Sequence, residues 1–195
     1  MGIPYLKHRP WSSWTRDERF FCAVLYAHAS KEPTAFARWL IDKANLKEVA
    51  DSEWDLGVEV CFYRDYLWHQ PGKSAGKVDL PAKRTFDLCL FGERDIIIVE
   101  AKVCEPYDLA QNEDFRSDKE ERINGIPGLE GIRVHLVALA SSRYFANAKK
   151  FGRPETLTMF DGRVSWADVN GRYPDDLLAQ ADQMYSMRPG ETLTD

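Results

Sequence analysis

The stretch "RTFDLCLFGERDIIIVEAKV", residues 84–103, contains two apolar runs separated by a short polar turn. Both runs are rich in aromatic or β-branched residues, and the pattern predicts two strands of a hairpin. Asp87 interrupts the first run, and the second run ends in Glu100-Ala101-Lys102. Charged groups inside buried strands are costly unless they have partners, so these positions require a chemical reason.

The turn GERD sets the pairing of the two strands. A two-residue loop (ER) and a four-residue loop (GERD) give the same register, in which the numbers of opposed residues sum to 187. This register places Asp87 opposite Glu100 on one face, with Cβ atoms ~4.5–5.5 Å apart. A loop of three or five residues would instead move Asp87 to the opposite face.

Two carboxylates held side by side repel each other unless a positive charge lies between them. Lys102 lies two residues beyond Glu100 and therefore points to the same face. Mg²⁺ or Mn²⁺ fits such an oxygen-rich site, with the Ala101 carbonyl as a further ligand and several retained waters. The Lys102 ammonium would hold or help deprotonate an attacking water and stabilise charge on phosphate. The pattern is typical of metal-assisted phosphodiester hydrolysis.

These residues resemble the motif of the PD-(D/E)xK, or restriction endonuclease-like, nuclease superfamily: an Asp on one strand, a hairpin, then (Asp/Glu)-x-Lys ending a hydrophobic strand. The position before Asp87 is Phe86, where the family motif has proline. The resemblance implies an α/β fold with a restriction endonuclease-like core, a central mixed β-sheet flanked by α-helices. It also implies a nuclease in which Asp87 and Glu100 bind metal, Lys102 is catalytic and DNA is the substrate.

Three further positions are candidates for the same site. Many family members carry a glutamate on the helix before the first strand, a place that Glu18 occupies, although Thr15 and Glu18 also match a capping box. Glu59 is the other candidate, but strand alternation equally places it on a solvated face. Gln111 resembles a glutamine that faces the active site in several such nucleases, and its alternative is an exposed helical side chain.

Two basic segments, KSAGKVDLPAKR and NAKKFGRP, are predicted to contact nucleic-acid phosphates because they are basic and expected to be exposed. A solvated loop is the alternative for each. Their candidate residues are Lys77, Lys83, Arg84, Lys149 and Lys150.

Four aromatic residues near basic side chains suit stacking on nucleic-acid bases, although core packing is the more frequent use of such residues. They are Trp11, Trp14, Tyr66 and Trp68.

A chain of 195 residues with 44% apolar content fits a single globular domain over 1–195. We expect a helical part at about 15–46, a sheet core at about 56–170 and a C-terminal helix at about 174–187. The net charge of −5 argues against a general polyanion binder. It favours the alternative of an inactive fold that binds nucleic acid or protein. Specificity would come from loops, a homodimer or a protein partner.

The four cysteines form no CxxC pair and lie mostly in apolar runs, as expected for reduced thiols. This predicts a cytoplasmic protein. No apolar window approaches the ~18 residues of a membrane span, so no membrane association is expected.

The remaining elements follow from periodicity and turn residues. The sequence predicts a helix capped by Thr15, a second helix opening at Pro33, and a helix that closes at Gly125. The segment LGVEVCFYRDYLW (56–68) favours a strand, although helical spacing also fits. IRVHLVALAS predicts a buried strand, NAKKFG a short helix or turn, TLTMFDGRVSW a hairpin around Asp161-Gly162, and PDDLLAQADQMYSM a last helix.

Overall fold

The computed structural model describes residues 4–69, 80–147 and 154–185. Within these ranges five strands form one mixed sheet in the order β1-β2-β3-β4-β5. The β1/β2 and β2/β3 pairs are antiparallel, and the β3/β4 and β4/β5 pairs are parallel. The strands are Asp55–Val60 (β1), Phe86–Phe91 (β2), Asp95–Ala101 (β3), Arg133–Ala140 (β4) and Gly162–Ser165 (β5).

Helices occupy much of the remaining described chain. They are Glu18–Ala29 (α1), Pro33–Ala44 (α2), Phe62–His69 (α3), Leu109–Ser117 (α4), Ser142–Ala146 (α5), Trp166–Arg172 (α6) and Asp176–Met184 (α7). A π-helical turn, Asp118–Arg122, continues α4. Among the described helices, none is long and apolar enough to cross a membrane.

Apolar side chains from both faces of the sheet pack against helices. Leu88 and Val99 belong to a core cluster with residues of α1, α2, α6 and α7. Cys89 and Ile98, one residue along each strand, belong to a second cluster with Tyr63, Phe115 and Tyr144 of α3, α4 and α5. The chain is therefore an α/β protein with a mixed sheet flanked by helices.

The register predicted for the β2/β3 hairpin is confirmed. The observed Cα partners are Leu88↔Val99, Cys89↔Ile98, Leu90↔Ile97 and Phe91↔Ile96, and each pair sums to 187. The helix opening at Pro33, the buried strand within IRVHLVALAS and the last helix are also confirmed. The helix after β3 ends earlier than Gly125 as an α-helix and continues as the π-helical turn. In NAKKFG, Asn147 caps α5, and the other residues lie outside the described ranges.

The prediction of one strand over 56–68 is wrong for its second half. The strand ends at Val60 and α3 begins at Phe62. Both periodicities fitted this aromatic segment, so long-range packing decided between them. Tyr63 is fully buried and donates a hydrogen bond to Asp118 Oδ1 at 2.6 Å, a contact that the helix makes available.

The cap predicted for α1 is also wrong. The helix starts at Glu18, and its N-cap is Asp17, whose carboxylate accepts a hydrogen bond from the Arg19 amide at 3.0 Å. Thr15 instead accepts a hydrogen bond from the Asp17 amide at 3.4 Å. Thr15 and Asp17 are both acceptable N-cap residues, and Asp17 is the one that caps the start of the helix. Glu18 is therefore not held in a capping box.

The hairpin predicted around Asp161-Gly162 does not form. Gly162 begins β5, which pairs in parallel with β4 through Val137↔Gly162. The Asp161 backbone amide donates to the Leu136 carbonyl, and the Asp161 carboxylate accepts from the Leu136 amide, each at 2.8 Å. These two bonds pair the backbone amide and carbonyl of Leu136 with a residue far away in sequence. This long-range pairing overrides the local turn signal.

Candidate active site

The motif residues lie at the open end of the hairpin, where β2 begins and β3 ends. The paired ladder stops at Leu88↔Val99, one position before Asp87 and Glu100. Beyond it, the Ala101 amide donates a hydrogen bond to Asp87 Oδ2 at 2.7 Å. The Asp87 side chain of β2 thus takes the place of the next backbone hydrogen bond to β3. This contact fixes the Asp87 carboxylate beside the Glu100-Ala101-Lys102 segment.

Lys102 and Glu100 form a close ion pair. Lys102 Nζ lies 2.7 Å from Glu100 Oε1, and the two side chains are only 10% and 8% exposed. Burial alone lowers the pKa of Lys102, but the charge and hydrogen bond of Glu100 outweigh it and raise the pKa above its usual value. Lys102 is therefore a charged ammonium in this setting.

The pKa of Asp87 is raised from 3.8 to about 8, first by burial and then by the nearby negative charge of Glu100. The hydrogen bond from Ala101 and the Lys102 charge act in the opposite direction. An aspartate with such a pKa needs an added positive charge to become ionised at neutral pH.

Two buried aromatic side chains hold the backbone of the motif. The Tyr107 hydroxyl lies 3.1 Å from the Glu100 carbonyl and 3.0 Å from the Leu139 carbonyl. The Trp166 indole Nε1 donates to the Lys102 carbonyl at 3.1 Å. Sequence reasoning missed both supports, because they come from other elements and leave no local pattern around the motif.

Glu18 lies in the first turn of α1, and its negative charge contributes to the raised pKa values of Asp87 and Lys102. The structure thus brings this candidate into the electrostatic neighbourhood of the acid pair. The burial of Cys22, one turn further along α1, raises the pKa of its thiol, with contributions from the Asp87 and Glu100 charges.

Glu59 of β1 lies opposite Asp87 of β2, between the pairs Val58↔Leu88 and Val60↔Phe86. Its φ of 51° is in the left-handed region, so the strand is locally distorted at this residue. Glu59 Oε1 is buried and accepts no hydrogen bond among the described residues. Burial raises the pKa of Glu59 above its usual range. A third carboxylate thus lies next to the acid pair.

The residues present fit a divalent cation with oxygen ligands. Asp87 Oδ1 and Glu100 Oε2 accept no hydrogen bond from any residue that the structure describes. Because the amide and carbonyl of one strand residue face the same neighbour, the Ala101 carbonyl is directed toward β2 and Asp87. The described residues contain no group of three or more histidine, cysteine, aspartate or glutamate side chains arranged to hold a metal ion. Mg²⁺ commonly uses one or two carboxylates with waters and substrate phosphates.

Gln111 lies in α4 and is exposed, whereas its neighbour Asn112 is buried and donates to the Thr156 carbonyl at 3.1 Å. The structure does not bring Gln111 into contact with the motif residues through any described hydrogen bond.

The predicted phosphate contacts differ in exposure. Lys83 is exposed, whereas the Arg84 side chain is 14% exposed, lies 2.7 Å from Asp118 Oδ2 and covers the Phe115 ring at 4.3 Å. Arg84 therefore serves an internal ion pair. The other candidates, Lys77, Lys149 and Lys150, lie outside the described residues.

The aromatic candidates also separate. Trp11 is 62% exposed and Trp68 is 80% exposed, whereas Trp14 and Tyr66 are partly buried.

No protein-family model matches this chain, and no curated protein matches it.

Proposed function

We propose that the chain is a metal-dependent nuclease that hydrolyses phosphodiester bonds in DNA, with a restriction endonuclease-like core. The observation that carries the proposal is the convergence of Asp87, Glu100 and Lys102 at the end of one hairpin, in the predicted register. The order of the elements also supports it. The antiparallel hairpin is followed by a helix and then by a strand parallel to β3, an order similar to that of the restriction endonuclease-like core.

Asp87, Glu100 and the Ala101 carbonyl would hold Mg²⁺ or Mn²⁺, which supplies a Lewis acid for the phosphoryl oxygen and a more acidic bound water. Glu18 and Glu59 add negative charge around this position. They favour a cation at the end of the hairpin.

Lys102 supplies a fixed positive charge. Its ammonium is held by Glu100 at 2.7 Å and is nearly excluded from solvent. Electrostatic stabilisation is strongest in such a water-poor site, because the donor is already oriented when negative charge develops on the phosphate. The raised pKa of Lys102 favours this role, and the orientation of an attacking water, over proton abstraction.

The test is cleavage of labelled single- and double-stranded DNA in Mg²⁺ by the wild-type chain, Lys102→Ala and Lys31→Ala. We expect Lys102→Ala to lose at least about 100-fold in rate, as when a preorganised donor is removed. Lys31 is an exposed lysine in the turn after α1 and serves as the matched control. Full Mg²⁺-dependent cleavage by a folded Lys102→Ala protein would refute the mechanism.

The net charge of −5 and the internal neutralisation of Glu100 by Lys102 favour a second candidate, an inactive fold that binds nucleic acid or protein. Titration with Mn²⁺ separates the two. Absence of binding, or binding unchanged in Asp87→Asn, would support the binding module.

A further inference from the structure

The exposed guanidinium of Arg16 lies beside the chain just after β3, the strand that carries Glu100. Arg16 Nε donates to Cys104 Sγ at 3.0 Å, and Cys104 is two residues beyond Lys102. Among the residues that the structure describes, Arg16 has no carboxylate partner, in contrast to Arg38 and Arg64, which lie 3.0 Å and 2.9 Å from aspartates. In a chain of net charge −5, this arginine keeps its charge available to an outside anion.

A second guanidinium lies on the other side of the acid pair. Arg19, in the first turn of α1, is 67% exposed, and its Nε lies 3.6 Å from Glu59 Oε2. That distance is too long for a hydrogen bond, and no described residue accepts a hydrogen bond from the Arg19 side chain. Glu59 belongs to β1 and lies opposite Asp87 of β2, so Arg19 is placed on the β1 side of the motif. Arg16 is placed on the β3 side, because Cys104 follows β3.

The chain just before Arg16 presents an exposed indole on a fixed support. Trp11 is 62% exposed, and its carbonyl accepts hydrogen bonds from the Trp14 amide at 2.8 Å and the Thr15 amide at 3.0 Å. Gln180 of α7 donates to the Ser12 carbonyl at 2.7 Å, which anchors this turn to the body of the protein. These contacts fix the backbone of Trp11 about one turn before Thr15, the residue that precedes Arg16 in the chain.

We propose that Arg16, Arg19 and Trp11 bind a single nucleic-acid strand across the motif. The planar guanidinium groups take backbone phosphates on the two sides of Asp87 and Glu100, as bidentate donors suit phosphate oxygens. Trp11 stacks on an unpaired base, a contact open to any base but closed to bases inside a duplex. The inference rests on the proposed nuclease function and names its substrate, a single strand or frayed end.

The test is fluorescence anisotropy with a labelled oligonucleotide of mixed sequence, single-stranded or annealed to its complement, in Ca²⁺ to hold the complex without turnover. We expect the single strand to bind more tightly than the duplex. Arg16→Ala and Arg19→Ala should each weaken binding about 3–10-fold and reduce the slope of log K against log[salt] by ~0.7. Arg64→Ala, which removes a similarly exposed arginine paired with Asp65, should change neither quantity.

Trp11→Ala should weaken single-strand binding by about tenfold, and Trp11→Phe should restore most of it, because an aromatic face remains. Thermal melting of each variant controls for folding. Unchanged binding in all three alanine variants, while the wild type binds and cleaves, would overturn this surface and leave the nuclease proposal intact. Tighter binding of duplex without dependence on Trp11 would overturn the single-strand assignment. A wild type that cleaves neither form would instead contradict the nuclease function itself.

Discussion

The Ala101 amide donates a hydrogen bond to Asp87 Oδ2 at 2.7 Å, at the position where backbone pairing between β2 and β3 has just ended. The contact holds a partly buried carboxylate next to a second acid, Glu100. That position is unfavourable for the stability of the protein and useful for binding a cation. Stability without metal and affinity for a cation report these two effects separately.

Asp87→Asn should stabilise the protein, and more so at high pH. The folded-state pKa of Asp87 is raised from 3.8 to about 8, so the native state binds the proton more tightly than the unfolded state. Its contribution to stability is fully present below pH 4 and is lost as the pH rises through 8. At pH 9 we expect Asp87→Asn to gain about 1–3 kcal/mol, or roughly 2–10 °C in Tm, and to gain little at pH 4.

The comparison is a set of thermal melts at pH 4, 7 and 9 in EDTA, with Asp42→Asn as the control because Asp42 is exposed on α2. An Asp87→Asn effect that does not grow with pH would show that this carboxylate titrates normally.

Divalent cation binding should depend on pH and release a proton. A cation bound at Asp87 requires the ionised form, and below a pKa of about 8 the carboxyl group must lose its proton first. Between pH 6 and 8 the apparent affinity for Mn²⁺ should therefore rise by up to about tenfold per pH unit. Calorimetry in two buffers of different ionisation enthalpy measures the released proton. Asp87→Asn should weaken Mn²⁺ binding and remove the pH dependence of any affinity that remains. A pH-independent affinity in the wild type would place the cation elsewhere.

How much the sequence could predict depended on how local each interaction is. The β2/β3 register followed from apolar alternation and a short turn within about twenty residues. The placement of Asp87 near Glu100 could therefore be predicted from the sequence. The supports from Tyr107 and Trp166 were not, since nothing near the motif encodes a distant hydrogen bond. For the same reason Asp161-Gly162 carried a turn signal that the parallel pairing with β4 overrode.

Asp118 should be essential for stability rather than for activity. Its side chain is fully buried, accepts hydrogen bonds from Tyr63 at 2.6 Å and Arg122 at 3.1 Å, and forms an ion pair with Arg84 at 2.7 Å. Asp118→Ala leaves the Arg84 side chain, which is only 14% exposed, without its closest partner, a change that commonly costs about 3–5 kcal/mol. Asp114→Ala removes a 52%-exposed partner of the same arginines and should cost less than about 1 kcal/mol. Urea denaturation measures both, and equal losses would show that Asp118 is not the centre of this network.

Gly162→Ala should destabilise the protein because Gly162 lies in an edge strand packed against α2. A Cβ added there would lie 2.5 Å from the Ala44 carbonyl oxygen and 2.7 Å from the Ala44 Cβ, and backbone atoms at that distance cannot yield. We expect a loss of about 1–3 kcal/mol, the usual cost of overpacking. Gly171→Ala is the matched control, since its Cβ would meet nothing within 4 Å and a helical alanine favours α6 by up to about 1 kcal/mol. The two substitutions should therefore shift Tm in opposite directions. A Gly162→Ala protein as stable as the wild type would mean that this residue lies in an open turn, as the local sequence suggests, and not beneath α2.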